Sequence, residues 1–400
     1  MAKVAAPGDN APILGIRFAC ASLNSGPPSP LNAAGQLAFT AAFSNTLPQS
    51  AGDFLYNPAG SGSTSEIVAA GVTLAGESQP TTSVPSIPMA ANAAGETAFG
   101  IQVGTPTSGG FLVGGPGGFQ GFFIRDSDGT LRKIVANGDA APEAGNTFGP
   151  PHYLAGLDSQ GGLAFTAAAG SAADGLFYAP ANGNIQTIAL DGDPVPGATG
   201  GAFSLEIPLA PISSSGPLIS ALNPFGEFAS INDESDVVVR ADITGGTSDS
   251  GYFRMLRTGT AGAALQPVVL EGQPAPGGGT FAPIPSASSS GSYFSLGPDG
   301  AFAFENRVIN NGIVKGGIFE AQPDGTLLKI LVSGDPAPGG GTFDGISMSN
   351  GLAAGSAGRF AFLSGILGGD AHVAIFATAI PAGTASTTTT LSPPASPAAA

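Results

Sequence analysis

The sequence predicts an all-β protein, a six-bladed β-propeller whose blades are four-stranded and antiparallel and whose ring is closed by the N-terminal strand. Three observations predict this fold. Two short motifs alternate along the chain in six copies, and apolar residues beside them recur with a period of two. In addition, the N-terminal segment supplies a strand that the last repeat lacks. We expect residues 1–380 to form the propeller.

The first motif is a turn, Gly-[Asp/Glu/Gln]-x-x-Pro, whose six glycines are Gly8, Gly76, Gly138, Gly192, Gly272 and Gly334. Four positions before each glycine stands a β-branched residue, and another apolar residue follows two positions later. This period of two predicts a strand that ends at the turn. We expect the β-branched residues to be equivalent and buried: Val4, Val72, Ile134, Ile188, Val268 and Ile330.

The second motif, Asn-x-x-Gly-x-x-Ala-Phe, predicts a tight turn followed by another strand. Clear copies begin at Asn32 and Asn92, whereas the fourth copy departs most, with Ser235 for the glycine and Val239 for the phenylalanine. A short aromatic strand such as Phe54-Leu55-Tyr56 follows each copy. Each repeat therefore contains four strands. We name them a (after the Gly-Asp turn), b (after Asn-x-x-Gly), c (aromatic) and d (before the next Gly-Asp turn).

The two ends of the chain favour a ring over the alternative, a linear stack of small sheets or a β-helix. The sixth repeat runs through Ile375-Phe376-Ala377 without a strand d, whereas Lys3-Val4-Ala5-Ala6 is a strand d without a sheet. Pairing these segments removes two open sheet edges, which otherwise promote aggregation. Residues 381–400, rich in Thr, Pro and Ala, are expected to be a tail or the start of a following Ig-like domain.

At these motifs the sequence resembles the bacterial tandem-repeat family named for its Asn-x-x-Gly-x-x-Ala-Phe signature, over roughly residues 3–376. The resemblance implies an uncharacterised secreted or surface-anchored protein with a varied C-terminal anchor. It implies a location more than an activity, and it carries over no catalytic residue.

Composition narrows the classes of partner and location. The chain has 12 Lys and Arg against 28 Asp and Glu, a formal net charge of −16, which argues against nucleic acid. No segment is long and apolar enough to insert into a membrane, and the single cysteine, Cys20, permits no intrachain disulfide. An acidic, lysine-poor chain predicts an extracellular or bacterial cell-surface location, with the leader absent from this version.

No catalytic set is visible in the sequence. The two histidines, His152 and His372, are far apart, and neither has neighbours typical of a zinc site or a Ser-His-Asp triad. We therefore expect a non-catalytic structural, adhesive or ligand-binding module, with a protein or a glycan as partner. The alternative is an extracellular propeller hydrolase or lyase acting on glycans or lactones, which would break the repeat symmetry with clustered His, Arg or carboxylates.

One set of polar side chains is generated by the repeat itself. Five of the six Gly-Asp turns carry a carboxylate and the sixth carries Gln273; the five are Asp9, Glu77, Asp139, Asp193 and Asp335. In a ring, equivalent turns surround the axis, so the sequence predicts a metal site at the channel mouth, with Ca²⁺ as the ion and no other cofactor. The alternative is that each carboxylate caps its own turn through backbone N–H groups.

Two repeats carry insertions. Copy two has a Gly-rich segment at 105–118, between strands b and c, and copy four has additional residues at 205–228, expected between strands a and b. Because successive strands alternate in direction, we expect the two insertions on opposite faces of the ring.

Overall fold

The structure, a computed structural model, describes residues 18–22, 35–43, 51–58, 62–69, 81–83, 90–103, 119–143, 145–170, 173–205, 229–257, 264–284, 294–344, 352–354, 359–369, 373–379 and 387–390. Within these ranges every regular element is a β-strand, and all the strand pairs are antiparallel. The predicted all-β class and antiparallel pairing are therefore confirmed. These ranges contain no helix with the length and apolarity needed to cross a bilayer.

The described strands form six sheets, and each sheet uses one continuous stretch of chain in the predicted order a, b, c, d. Sheet 1 contains β1 (Phe18–Ser22), β2 (Leu37–Phe43), β3 (Ala51–Asn57) and β4 (Ser63–Ala69). Sheet 2 contains β5 (Thr81–Ser83), β6 (Ala90–Ala91), β7 (Thr97–Val103), β8 (Phe119–Arg125) and β9 (Leu131–Ala136). Sheet 3 contains β10 (Phe148–Leu157), β11 (Leu163–Ala169), β12 (Ala173–Ala179) and β13 (Gln186–Leu190).

The other three sheets repeat this order. Sheet 4 contains β14 (Ala202–Ser204), β15 (Ala229–Ile231), β16 (Val237–Thr244), β17 (Ser250–Met255) and β18 (Gln266–Leu270). Sheet 5 contains β19 (Thr280–Phe281), β20 (Phe294–Leu296), β21 (Phe302–Asn310), β22 (Ile313–Ala321) and β23 (Leu327–Val332). Sheet 6 contains β24 (Thr342–Phe343), β25 (Leu352–Ala354), β26 (Arg359–Leu367), β27 (Val373–Ala379) and β28 (Thr387–Thr390).

Strand a is divided in two in sheets 2, 4, 5 and 6, which corrects the expectation of four strands in every sheet. In sheet 5, β19 pairs with one end of β21 and β20 with the other. We call each interruption an a-break. The copy-four insertion, residues 205–228, lies between β14 and β15, which both pair with β16, so it interrupts strand a instead of following it. Its many prolines lack the N–H groups that a continuous strand requires.

The outer edge of sheet 6 also differs from the prediction. On one side β27 pairs with β26, and on the other it pairs with β28, from Phe376↔Thr390 to Ala379↔Thr387. Four threonines, which are β-branched and favour strands, therefore occupy the edge at which we expected residues 3–6. Residues 3–6 lie outside the described residues. The domain boundary at 380 stays a prediction, although β28 lies beyond it.

Strand d buries a different residue from the one predicted. Ile134 and its equivalents in sheets 3, 4 and 5 are only half-buried, whereas the residue that follows each one is buried, as Val135 is. The reason is a β-bulge between strands c and d: Phe122 pairs with Val135 but Phe123 pairs with Lys133. The extra residue shifts the alternation by one, and the same shift recurs in sheets 3, 4 and 5.

Aromatic rings join strands a, b and c within a sheet. The phenylalanine of the Ala-Phe motif lies opposite the phenylalanine of strand c, as Phe165 lies opposite Phe177 with ring centroids 5.7 Å apart. Phe148 of strand a meets Phe177 edge-on at 5.0 Å. Equivalent triads occur in sheets 5 and 6. Stacked and edge-on pairs are both favourable ring geometries. The phenylalanine of the Ala-Phe motif therefore belongs to the hydrophobic core.

Consecutive sheets pack face to face in chain order. Apolar clusters join sheet 1 to 2, 2 to 3, 3 to 4, 4 to 5 and 5 to 6. The a strands of successive sheets also contact one another: β6 contacts β10, β10 contacts β15, β15 contacts β20 and β20 contacts β25. The edges formed by strands a therefore converge, and strands d lie at the opposite edges.

The Gly-Asp turns of the last two copies end against the hairpin that joins strands b and c of the following sheet. Gly341 has a φ of +80°, and a Cβ atom there would lie 2.4 Å from the carbonyl oxygen of Leu367. In the preceding copy, Gly279 has a φ of +83°, and its Cβ would lie 2.5 Å from the carbonyl oxygen of Ile309. Only glycine combines this conformation with so close an approach of two backbones.

Candidate functional site

Three of the five acidic turns are described, and each holds its carboxylate against its own backbone. Asp139, Asp193 and Asp335 each accept a hydrogen bond from the backbone N–H three residues earlier, at 2.8–2.9 Å. Gln273 does the same at 3.0 Å, and Lys133 Nζ adds an ion pair to Asp139 at 2.9 Å. The donors belong to strands d, away from the converging edges. These three carboxylates therefore cap their own turns, as the alternative interpretation of the sequence expects.

The other residues singled out in the sequence add no ligand set. Asp9, Glu77 and His372 lie outside the described residues, while His152 lies in β10 and Cys20 in β1. Among the described residues, no group of three or more His, Cys, Asp or Glu side chains is arranged to hold a metal ion. Ca²⁺ binding therefore stays a prediction.

The Asn-x-x-Gly turns form hydrogen bonds from one sheet to the next. Asn92 accepts through Oδ1 from two backbone N–H groups of its own turn. Its Nδ2 donates to the carbonyl oxygen of Asp158, the equivalent residue of the next sheet, at 2.9 Å. Asn232 repeats this arrangement and donates to the carbonyl oxygen of Gly297 in sheet 5 at 3.0 Å. The signature asparagine thus closes a turn and joins two sheets.

Copies three and four depart from the signature at complementary positions. Asp158 replaces the asparagine and, when ionised, has no hydrogen to donate. Ser235 replaces the glycine, and its Oγ donates to Asp158 Oδ2 at 2.6 Å, although its φ of +64° is unfavourable for a residue with a side chain. The Tyr178 hydroxyl donates to the same oxygen at 2.7 Å. Burial, with the hydrogen bond and charge of Asp158, raises the pKa of Tyr178 to about 12.

Tyr178 directly follows the aromatic residue of its strand c, and the equivalent residues also face the next sheet. In sheet 4 this residue is Arg254, which donates to three carbonyl oxygens in the turns of sheet 5 at 2.8–3.1 Å. In sheet 5 it is Glu320, which is fully buried and whose Oε2 has no hydrogen-bond partner among the described residues. Burial, reinforced by the charge of Asp299, raises the pKa of Glu320 to about 7.

Glu320 is expected to make stability depend on pH. Its folded pKa of about 7 exceeds the ordinary value of 4.5, so the folded protein keeps a proton that the unfolded chain loses between these values. This contribution is fully present below about pH 4.5 and is lost as the pH rises through about 7. Urea unfolding should show a loss of about 3 kcal/mol from this group between about pH 5 and pH 8.

The glutamine variant isolates this contribution. Glu320→Gln removes the titrating group and should reduce the pH dependence by that amount. Glu234→Gln, at an exposed carboxylate in the turn before β16, should keep the wild-type dependence. Equal pH profiles for Glu320→Gln and the wild type would contradict the assignment.

Charged residues gather beside the a-breaks of sheets 4 and 5. The residue after the Ala-Phe motif lies on strand b, opposite the a-break where the sheet has one; the six copies are Thr40, Gly100, Thr166, Arg240, Glu305 and Leu363. Only the two adjacent copies Arg240 and Glu305 are charged, and Asp242 and Arg307 follow them two residues later. Arg240, Asp242, Glu305, Asn306 and Arg307 together are named the polar break.

Arg240 and Asn306 form the buried floor of the polar break. Arg240 is 3% exposed, pairs through two nitrogens with Asp242, and donates from Nη2 to the carbonyl oxygen of Ile284 in sheet 5 at 3.2 Å. Asn306 is 1% exposed and shares the face of β21 on which Phe304 packs against sheet 4. Arg240 Nε and Asn306 Nδ2 have no partner among the described residues. Both side chains therefore face the buried interface between sheets 4 and 5.

Glu305 and Arg307 lie on the opposite face of β21 from Asn306. Glu305 is half-buried on the face of β21 shared with Ala303, which contacts sheet 6. Burial raises the pKa of Glu305 to about 8, against a smaller lowering by Arg307. At pH 7 its carboxyl group is therefore neutral and both donates and accepts hydrogen bonds. Arg307 is exposed, and the side chain of Asp242 is 40% exposed.

The polar break was not predicted from the sequence, although one signal was present. Aligning the six Ala-Phe motifs places Arg240 and Glu305 in the same column. That Arg240 and Asn306 face the same interface follows only from the packing order of the sheets.

The described strands form six antiparallel sheets, and buried hydrogen bonds between turns join sheets 2 to 3, 3 to 4 and 4 to 5. The chain belongs to a family of unknown function, DUF7453, whose model matches residues 1–284. This match leaves the resemblance to the Asn-x-x-Gly-x-x-Ala-Phe family a prediction. No curated protein matches the chain.

Two solved structures are similar at low identity. The polysaccharide lyase Uly1 is 10% identical, with 96% of this chain and 86% of that chain covered and a TM-score of 0.41. An arginine-to-alanine mutant of AofleA from Arthrobotrys oligospora is 11% identical, with 91% of this chain and 85% of that chain covered and a TM-score of 0.29. Neither likeness transfers a ligand or a reaction to this chain.

Proposed function

We propose that the protein is a non-catalytic ligand-binding module, a six-bladed β-propeller that presents the polar break near its axis, outside the cell or on a bacterial surface. The observation that carries this proposal is a contrast between the turns, which form the frame of the fold, and the polar break. The turns use their polar groups to hold neighbouring sheets, whereas the polar break has buried donors with no partner among the described residues. A regular frame that positions irregular segments is typical of binding sites.

An extracellular hydrolase or lyase acting on glycans or lactones is the second candidate. Glu305 favours it, because a carboxyl group with a pKa of about 8 suits a general acid at neutral pH. Such an enzyme also needs a base or a nucleophile. Asp242, the other carboxylate of the polar break, is paired with Arg240. This pairing favours binding over catalysis.

The proposed ring closes by packing of sheet 6 on sheet 1. In sheets 2 to 5, the residue before the strand-c aromatic is fully buried between sheets; these residues are Phe122, Leu176, Tyr252 and Ile318. Its counterpart in sheet 6, Ile375, is 61% exposed, and Val373 on the same strand face is 58% exposed. This apolar face is exposed in the structure; a closed ring would bury it against sheet 1, and an open one leaves it free to associate.

If the ring is closed, a charged side chain at position 375 should strongly lower the free energy of unfolding. Ile375→Lys would place an unpaired cation in the closed interface and lower the free energy of unfolding by about 3 kcal/mol. Ile313→Lys is the matched control, since Ile313 is 60% exposed at a hairpin of sheet 5 and should change stability by less than about 0.5 kcal/mol. Equal small effects would overturn closure. Loss of an oligomer in Ile375→Lys would instead assign the face to a contact between chains.

Binding assays and turnover assays with the same glycans distinguish the two candidate functions. Soluble glycans and lactones are tested for product formation, and the same glycans and purified cell-surface proteins are immobilised for binding. The proposal expects binding without product. Arg307→Ala should weaken binding at least about tenfold, and Arg359→Ala, at an exposed arginine of β26, should not. Product formation lost in Glu305→Gln would establish the enzyme, and absence of all binding would overturn the module.

A further inference from the structure

We propose that Glu305 and Glu320 make the attachment of sheet 6 to sheet 5 depend on pH, so that the two sheets stay packed when both carboxyl groups are protonated and separate when both are ionised. Mild alkali then opens one interface of the fold while the other sheets remain packed. Such a response is independent of any ligand at the polar break.

Glu320 lies inside the apolar contact between sheets 5 and 6. On β22 it is paired with Ala303 on one side and with Leu328 on the other, and directly paired residues share a face of the sheet. Ala303 and Leu328 both pack against Phe360 of sheet 6. Glu320 is fully buried, and it accepts a hydrogen bond from Gln322 through Oε1 only. Its carboxyl group therefore meets apolar side chains of the facing sheet.

Glu305 occupies the next row of the same face. Its partner in the pairing of β21 with β22 is Ile318. Ile318 is fully buried and belongs to the apolar cluster that includes Phe362 and Phe376 of sheet 6. Because alternate residues of a strand share a face, two consecutive rows of sheet 5 present a carboxyl group to sheet 6.

The repeats carry carboxyl groups at these two positions in sheet 5 alone. Of the six residues that follow the Ala-Phe motif, Glu305 is the only acid. The residue after the strand-c aromatic is also acidic in one copy; the six are Leu55, Ile124, Tyr178, Arg254, Glu320 and Ala377. The interface between sheets 4 and 5 instead holds Arg240 and Arg254, whose charged groups are bonded to Asp242 and to backbone carbonyl oxygens.

The facing surface of sheet 6 offers no charge that would hold an ionised carboxylate. In the described part of sheet 6, the side chains on this surface are apolar or carry a hydroxyl group; they include Phe343, Phe360, Phe362, Ser364, Ile366 and Phe376. Asp344 and Arg359 adjoin Phe343 and Phe360 in the chain and therefore lie on the other surface of the sheet.

Sheet 5 itself supplies one cation and one further anion. Arg307 shares the strand face of Glu305, and its charge opposes the effect of burial on that group. Asp299, in the turn before β21, acts on Glu320 in the same direction as burial. Lys315 and Lys329 are paired with Val308 and Phe319, so they lie on the face towards sheet 4.

Both carboxyl groups are neutral at pH 6 while the sheets are packed. Burial raises the pKa of Glu305 to about 8 and the pKa of Glu320 to about 7. Both values exceed the ordinary value of 4.5, so the packed interface binds protons that separated sheets release. This contribution to packing is fully present below about pH 4.5, and it is lost as the pH rises through about 7 and then about 8.

Hydrogen exchange measured by mass spectrometry at pH 6 and pH 8.5 tests the proposal. A small sheet whose apolar face is uncovered has little stability of its own, so the amides of β26 and β27 should exchange when sheet 6 separates. After correction for the intrinsic exchange rate, their protection should fall at least about a hundredfold. Glu320 contributes about tenfold, and Glu305 contributes more, reduced by its partial exposure. At pH 8.5 the amides of β11 and β12 in sheet 3 should remain better protected.

Glutamine variants assign the effect to the two carboxyl groups, because glutamine keeps the shape of the side chain and does not ionise. Glu320→Gln should make the fall in protection about tenfold smaller, and Glu305→Gln should make it smaller still. The double variant should show no fall. Glu234→Gln, at an exposed carboxylate in sheet 4, should behave as the wild type.

Three results overturn the proposal. The first is unchanged protection of β26 and β27 in the wild type between the two pH values. The second is equal exchange of all sheets at pH 8.5, which means that ionisation unfolds the whole chain instead of opening one interface. The third is a fall in protection that persists in the double variant. Should the double variant fail to fold, a wild-type fall in both single variants has the same meaning.

Discussion

Replacing Asp158 with alanine is expected to lower the free energy of unfolding by about 4 kcal/mol. The carboxylate is fully buried and accepts two hydrogen bonds from backbone N–H groups of its own turn. It accepts two more from the hydroxyl groups of Tyr178 and Ser235. Alanine leaves the two backbone N–H groups without their acceptor and leaves the hydroxyl groups of Tyr178 and Ser235, 3.4 Å apart, with only each other at the junction of sheets 3 and 4. Urea unfolding followed by circular dichroism measures the loss.

A double-mutant cycle tests whether the two departures from the signature are matched. Asp158→Asn and Ser235→Gly each restore one signature residue but break the Ser235–Asp158 hydrogen bond. The double variant restores the Asn-x-x-Gly relation and should recover about 1–2 kcal/mol relative to additivity. Ser159→Ala removes an exposed bond across the same junction, to the carbonyl oxygen of Asp233, and should cost less than about 1 kcal/mol. Additive effects of the two substitutions would contradict the matching.

Gly341→Ala is expected to have an effect of similar size, about 4 kcal/mol. About 1 kcal/mol comes from the left-handed φ of +80°. The rest comes from the methyl group, which would lie 2.4 Å from the carbonyl oxygen of Leu367 and 2.7 Å from the nitrogen of Gly369. These atoms belong to backbone, so the hairpin of sheet 6 must move as a whole.

Gly339→Ala is the matched control for this steric effect. Gly339 has a φ of +86°, close to that of Gly341, and no atom lies within 4 Å of its Cβ position. Its replacement should cost only about 1 kcal/mol, the conformational part. Equal losses for the two variants, measured by thermal unfolding, would show that the turn does not press on the hairpin.

The strand order was predictable because the motifs place glycines at the turns. The Gly-Asp turn, the Asn-x-x-Gly turn and the aromatic strand each mark one boundary, and the observed sheets follow them in order. The burial of strand d was not predictable, since the bulge at Ile134 shifts the alternation without any change in composition. The division of strand a was missed for a related reason, because a proline-rich insertion looks the same inside a strand as after it.

The contacts between the turns join residues that are far apart in the sequence and become neighbours only in the folded protein. Asp158 and Ser235 are 77 residues apart, and their hydrogen bond appears only when sheets 3 and 4 pack with their turns in register. The acidic turns show how a local contact competes with a distant one. Their repetition was real, but Asp139 reaches its own strand d before it reaches any shared centre.

The hydrogen bonds between turns also bear on how such a chain gains or loses repeats. A signature asparagine donates to a backbone carbonyl, which every residue type supplies, so one ordinary copy accepts another as its neighbour. Duplication or deletion at those joints preserves the bond. The joint between copies three and four is different, because Asp158 requires the hydroxyl of Ser235. An extra copy inserted at that joint would separate Asp158 from Ser235 and remove their hydrogen bond, so this joint tolerates insertion less well than the others.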